Sequence, residues 1–152
     1  MTDEAYRAKR ILTDFRKLNR IVIEKWERLH DLMDSATRTT PSMSGERVSG
    51  SGDQSRVETT MITKIDLERQ LDASIDRLNA TRYRIQDAID AVDDLDQRTL
   101  LDLRYIDGKR WIYVMDALHI SEPTSHRIHR AALEAFMVQY DRLEKEQQEK
   151  TS

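Results

Sequence analysis

The chain has 152 residues, a formal net charge of −3, 35% charged and 38% hydrophobic residues. That balance argues against one large round core, since average soluble domains are more apolar and less charged. With no cysteine, neither a disulfide framework nor a thiolate metal site exists, and a reducing compartment, the bacterial cytoplasm, fits.

The length allows one or two small domains. Few Gly and Pro, with Leu, Ile, Ala, Arg, Asp and Glu abundant, predict an all-α fold. The opening "MTDEAYRAKR" is polar and unlike a signal peptide. No run approaches the ~18–20 apolar residues of a membrane span, so no membrane is expected. Slight acidity argues against a protein that coats nucleic acid everywhere, yet it permits a local basic surface.

Ala5, Ala8, Leu12, Phe15, Asn19, Val22, Trp26, Leu29, Met33 and Ala36 follow at spacings of 3 or 4. This predicts a long first helix with a coiled-coil-like seam. Ile11, Leu18 and Leu32 widen the stripe toward bundle packing. Asn19 is the polar residue in the register: it fixes alignment, or it lies at a wet edge. "SATRTTPSMSGERVSGSGDQS", residues 35–55, has no apolar period and predicts a flexible linker, placed at 37–55. Its "SGSG" lacks the spacing of a nucleotide-binding loop.

A second long helix is predicted from near Arg56. Leu71, Ile75, Leu78, Arg82, Ile85, Ile89 and Val92 form its seam, with Val57, Met61, Ile62 and Ile65 extending it backward. Two such helices most simply form a long antiparallel hairpin over residues 1–92, suited to oligomerisation or partner contact. From Val57 to Gln97 acids outnumber bases ten to five, which reads first as a solvated face.

"DDLDQ", residues 93–97, punctuates the chain. Asp94 with Gln97 resembles a capping box for a third helix, about Leu95 to Ile106. Gly108 can end it in the left-handed C′ conformation. A short fourth helix, about Arg110 to Leu118, carries Trp111, Val114, Met115 and Leu118 on one face. After a turn at His119-Ile120-Ser121, Ser121 is a favoured N-cap and Pro123 suits the first turn of a fifth helix. Ile128, Ala131 or Ala132, Ala135 and Phe136 form that helix's inner face, and His126, Arg127, His129 and Arg130 are expected to project elsewhere.

Two short helices joined by a tight turn suit a helix-turn-helix over residues 93–140, its second helix entering the major groove of double-stranded DNA. Arg reads guanine or holds phosphate, and Ser or Thr donates to either. The candidate DNA-binding residues are Lys109, Arg110, Ser121, Glu122, Thr124, Ser125, His126, Arg127, His129 and Arg130. An ordinary helical hairpin with a solvated charged face has the same pattern. His119, His126 and His129 lack the spacing of a metal site, and no cofactor, metal or catalytic group is expected. Residues 141–152 read as a charged tail that extends the last helix.

"LLDLRYIDGKRWIYVMDALHISEPTSHRIHRAALEAF", residues 100–136, resembles the region-4 helix-turn-helix of sigma factors. The matching features are Leu-Arg-Tyr before Asp-Gly, an aromatic opening the next helix, Ile-Ser at the turn, and Arg-Ala-Ala-Leu in the recognition helix. The layout of the whole chain resembles phage transcriptional regulators of the RinA/ArpU/LtrC type. The resemblance implies a sequence-specific, non-enzymatic DNA-binding regulator of phage late genes, with RNA polymerase as a candidate partner. Ser125 departs from the pattern, standing where sigma-like modules usually carry Val on the inner face. A homo-oligomer, with a dimer favoured, follows from seams too apolar for one hairpin to hide. Two other readings compete: a DNA-packaging protein like a small terminase subunit, and a coiled-coil interaction protein without DNA binding.

Overall fold

A computed structural model describes the backbone of residues 1–38 and 51–152 and the side chains of residues 1–35 and 54–152. The described residues are all-α. They form α1 (Asp3–Arg38), α2 (Ser51–Asp90), α3 (Leu95–Leu101), a π-helical turn (Asp102–Ile106), α4 (Trp111–Leu118) and α5 (Glu122–Thr151), without a strand. None of these helices is long and apolar enough to cross a membrane.

The chain divides into two compact units, one of Met1–Leu18 with Leu78–Ser152 and one of Asn19–Arg77. The division differs from the expected boundary at 92/93. The first four turns of α1 and the last three of α2 share one core with everything that follows Asp90. Most of the expected linker at 37–55 lies outside the described residues. Residues 37 and 38 end α1, and residues 51–55 begin α2.

The first unit holds the main core. Ala5, Ala8, Leu12 and Phe15 of α1 meet Ile85, Ala88, Ile89 and Val92, and Leu100, Leu101, Tyr105, Val114, Ala132, Leu133, Phe136 and Met137 complete it. Alanine at positions 5 and 8 removes the side-chain bulk that would hold neighbouring helices apart. Thr2 starts α1: its Oγ1 accepts from the Ala5 N–H at 3.3 Å and donates to Glu134 at 2.9 Å. Asp3 and Glu4 in the first turn suit the positive end of the helix dipole.

The end of α2 and the start of α3 are tied by side chains. Arg98 donates from Nε and Nη2 to the Val92 carbonyl, at 3.0 and 2.8 Å. Asp94 is the N-cap of α3, its Oδ1 accepting from the Gln97 N–H at 2.9 Å, as the sequence predicts. The predicted third helix does reach Ile106, but its last five residues widen into the π turn. Gly108 follows at φ +70°, the left-handed geometry anticipated for it.

In the second unit the two long helices touch where Lys25 Nζ donates to Ser74 Oγ at 2.8 Å. Leu71 is buried, and Val22, Leu29 and Ile75 are half-buried. Trp26 is 55% exposed, contrary to its expected place in a covered seam unless a second chain covers it. Its ring stacks on His30 of the same helix, centroids 5.2 Å apart. Met33, Val57, Met61, Ile62 and Ile65 are exposed as well.

Candidate nucleic-acid interface

The apolar side of α4 is short. Val114 is fully buried, while Trp111 and Leu118 pack against the core from its edge. Its N-cap, Arg110, makes no side-chain capping bond, so the guanidinium stays out in solvent. Lys109 leans over the Tyr113 ring, 5.0 Å from its centroid.

The chain leaves α4 through His119, which adopts the left-handed conformation at φ 54°. The Ile120 N–H then reaches back to the Met115 carbonyl at 3.0 Å, and the His119 N–H to that of Asp116 at 3.2 Å. Together these satisfy two carbonyls that a helix end leaves open. Ser121 caps α5, its Oγ accepting from the Thr124 N–H at 3.4 Å and donating to Thr124 Oγ1 at 3.0 Å. Pro123 stands in the first turn, as expected.

This geometry sorts the ten candidate residues. Lys109, Arg110, Ser121, Glu122, His126, Arg127 and Arg130 are exposed, and Thr124 is half-buried. Among the described residues, Arg110, Arg127 and Arg130 have no carboxylate partner. Glu122 lies 3.7 Å from His126 across one turn.

Two expectations fail. Ser125 and His129 are buried, at 3% and 7% exposure, and offer no side chain to a groove. The Ser125 hydroxyl donates to the Glu122 carbonyl at 2.6 Å, which satisfies it inside the helix. His129 does not project with His126 and Arg130. Its ring lies beside Tyr105 and edge-on to Trp111, with the Trp111 centroid 4.7 Å away.

Tyr105 Oη and His129 Nε2 are 2.7 Å apart. Burial, with help from Lys9, Arg104 and His126, pushes the His129 pKa down from 6.5 to about 4. Burial pushes the Tyr105 phenol up to about 12. A phenol can donate or accept, so either the Tyr105 hydroxyl donates to Nε2 or an Nε2–H donates to the phenol oxygen, according to which ring nitrogen of the neutral imidazole carries the hydrogen. The pair is a buried brace that ties the π turn to α5. Asp102, in the same turn, accepts from Gln86 at 3.0 Å, and burial raises its pKa.

Sequence reasoning missed Arg104. Its Nη1 donates to the Lys109 carbonyl at 2.9 Å, and its guanidinium lies 4.9 Å from the centroid of the Trp111 ring. The residue therefore braces the loop that presents Lys109 and Arg110. Its place in the Leu-Arg-Tyr run was visible in the sequence, but the ring it stacks on lies seven residues further along the chain.

The family described as Protein of unknown function (DUF1492) matches residues 37–137, and the chain belongs to it. The match contains all ten candidate residues and leaves most of α1 outside. No curated protein matches the chain, and no solved structure does.

Proposed function

We propose that the protein is a sequence-specific DNA-binding regulator, with α4, the turn and α5 acting as a helix-turn-helix. One observation carries this reading. A left-handed turn and a Ser121 cap lead into the first turns of α5, where Arg127 and Arg130 stand exposed without carboxylate partners. Unpaired arginines on an exposed helix start suit guanine edges and phosphates. Lys109 and Arg110, at the opening of α4, are positioned for backbone phosphates. Ser125 and His129 drop out of the interface and serve instead to seat α5.

The reading includes self-association, with a dimer favoured. The exposed Trp26, Met33, Val57, Met61, Ile62 and Ile65 support it, because one chain leaves this much large apolar side chain uncovered. It also includes a long antiparallel pair of α1 and α2, supported by the Lys25–Ser74 contact. A phage late-gene role, with RNA polymerase as a candidate partner, rests on the resemblance of the chain's layout to phage regulators of the RinA/ArpU/LtrC type and of residues 100–136 to sigma region 4.

The test is a titration of wild type and single alanine variants against selected and scrambled duplexes at several salt concentrations. Arg127→Ala should cost ~1–3 kcal/mol on the selected duplex and relax preference at one position. Lys109→Ala should weaken all duplexes alike and flatten the salt slope by about one. A wild type that prefers no duplex recovered by selection would sink the reading. Sedimentation separates it from the packaging alternative, which requires large rings.

A further inference from the structure

Three cations that the helix-turn-helix reading does not use gather with one that it does. Lys9 and Arg16 of α1, Arg104 of the π turn and Arg130 of α5 line a single hollow of about 530 Å³, with Thr13 and His126 beside them. Among the described residues, no carboxylate lines it. Among the described residues, none of these four cations is in an ion pair. Lys9 and Arg16 stand two turns apart, on one side of α1. Arg104 is already fixed by the Lys109 carbonyl and the Trp111 ring.

Bringing four like charges together without a counter-ion is unfavourable at these separations. The mutual effect is visible: burial and then Arg16 lower the Arg104 pKa, and Lys9 and Arg104 add to burial in lowering that of His129. An anion in the hollow would relieve this repulsion.

We propose that this hollow binds a phosphate group, held by Lys9, Arg16, Arg104 and Arg130. Donors arrive from α1, the π turn and α5, which suits a tetrahedral anion with several acceptor oxygens better than a planar carboxylate. The phosphate can come from a nucleic-acid backbone or from a free phosphorylated small molecule. The site stands on its own geometry, whether or not α5 reads bases.

The experiment uses the full chain as wild type, Lys9→Ala, Arg16→Gln, the double variant, and Arg69→Gln as a control for lost charge at a residue that does not line the hollow. One arm titrates inorganic pyrophosphate and ATP at low salt by calorimetry. The other titrates duplex DNA over a range of salt concentrations by fluorescence anisotropy. Binding in at least one arm should weaken roughly tenfold for each cation removed, and the Arg69→Gln control should not weaken it. Weakening in the DNA arm, with the salt slope lower by about one per cation, identifies a backbone phosphate. Weakening in the small-molecule arm alone identifies a free ligand.

If wild type binds in neither arm, or the variants match the control in both, the hollow is not a phosphate site. Should Arg16→Gln lower the melting temperature, the exposed Lys9→Ala decides alone. A lost salt slope on duplexes that wild type does not discriminate supports the hollow and rejects sequence-specific reading. Unchanged slopes with intact base preference do the reverse.

Discussion

His129 has exchanged solvent for a phenol. Its neutral form hydrogen-bonds to Tyr105, and burial disfavours the imidazolium. The unfolded chain keeps an ordinary imidazole, so as pH falls below about 6.5 it takes up a proton that the folded chain refuses. Stability should therefore drop between pH 6.5 and about 4, by at most about 3 kcal/mol, and level off below. Urea unfolding across that range measures it. The double variant Tyr105→Phe/His129→Leu removes both polar partners, so it should be close to wild type at pH 7 and lack this part of the slope. An unchanged slope would mean that His129 is protonated in the fold. The same pair shows where reading the sequence failed. Ser125, His129, Ala132, Leu133 and Phe136 step along α5 by 4, 3, 1 and 3, which is a core stripe. Residue type put both polar members among the DNA contacts, although Ser125 already stood at an inner-face position of the sigma-like pattern, and register decided otherwise. Ser125 satisfies its hydroxyl within the helix, and His129 finds a partner two elements away, which no local pattern announces.

Elements whose signals are local were legible. Asp94, Gly108, Ser121 and Pro123 all stand where capping and turn chemistry put them, because each acts within four residues of itself. His119 is the exception among the caps. It holds φ 54°, a conformation that strains a residue with a Cβ. Its side chain is exposed, so His119→Gly should raise stability by about 0.5–1 kcal/mol, offset in part by greater freedom of the unfolded chain. Thermal melts of the variant check this, and a loss of stability would assign the His119 ring a structural contact. The π turn was not legible. Its extra residue per turn lets Tyr105 face the core while Asp102 keeps its bond to Gln86, and the apolar spacing of residues 95–106 fits an ordinary α-helix as well. Nor was the neighbourhood of Lys9 and Arg16 legible. Periodicity told which side of α1 is polar, not that this side would adjoin Arg104 and Arg130.

The molecule as a whole is all-α, as composition and spacing predict, but its seams are not uniformly covered. Phe15 is buried in the first unit, while Trp26, in the same predicted register, is exposed in the second. Heptad spacing specifies a stripe and is silent about how much of it one chain can cover. If a second chain covers Trp26, Trp26→Glu should shift sedimentation toward the monomer, yet leave far-ultraviolet dichroism nearly unchanged. The same mass for both proteins would remove self-association through this face. The first unit has a further consequence, set by the order of its pieces. Thr2 bonds to Glu134 and Arg7 pairs with Asp141, partners 132 and 134 residues apart. Contacts of such separation form late, because a long stretch of chain must first be ordered. On a ribosome, the opening turns of α1 would emerge with Ala5, Ala8, Leu12 and Phe15 bare, and wait until the chain had been made through Met137. During that interval the apolar face is available to a chaperone, or to another nascent chain on the same messenger.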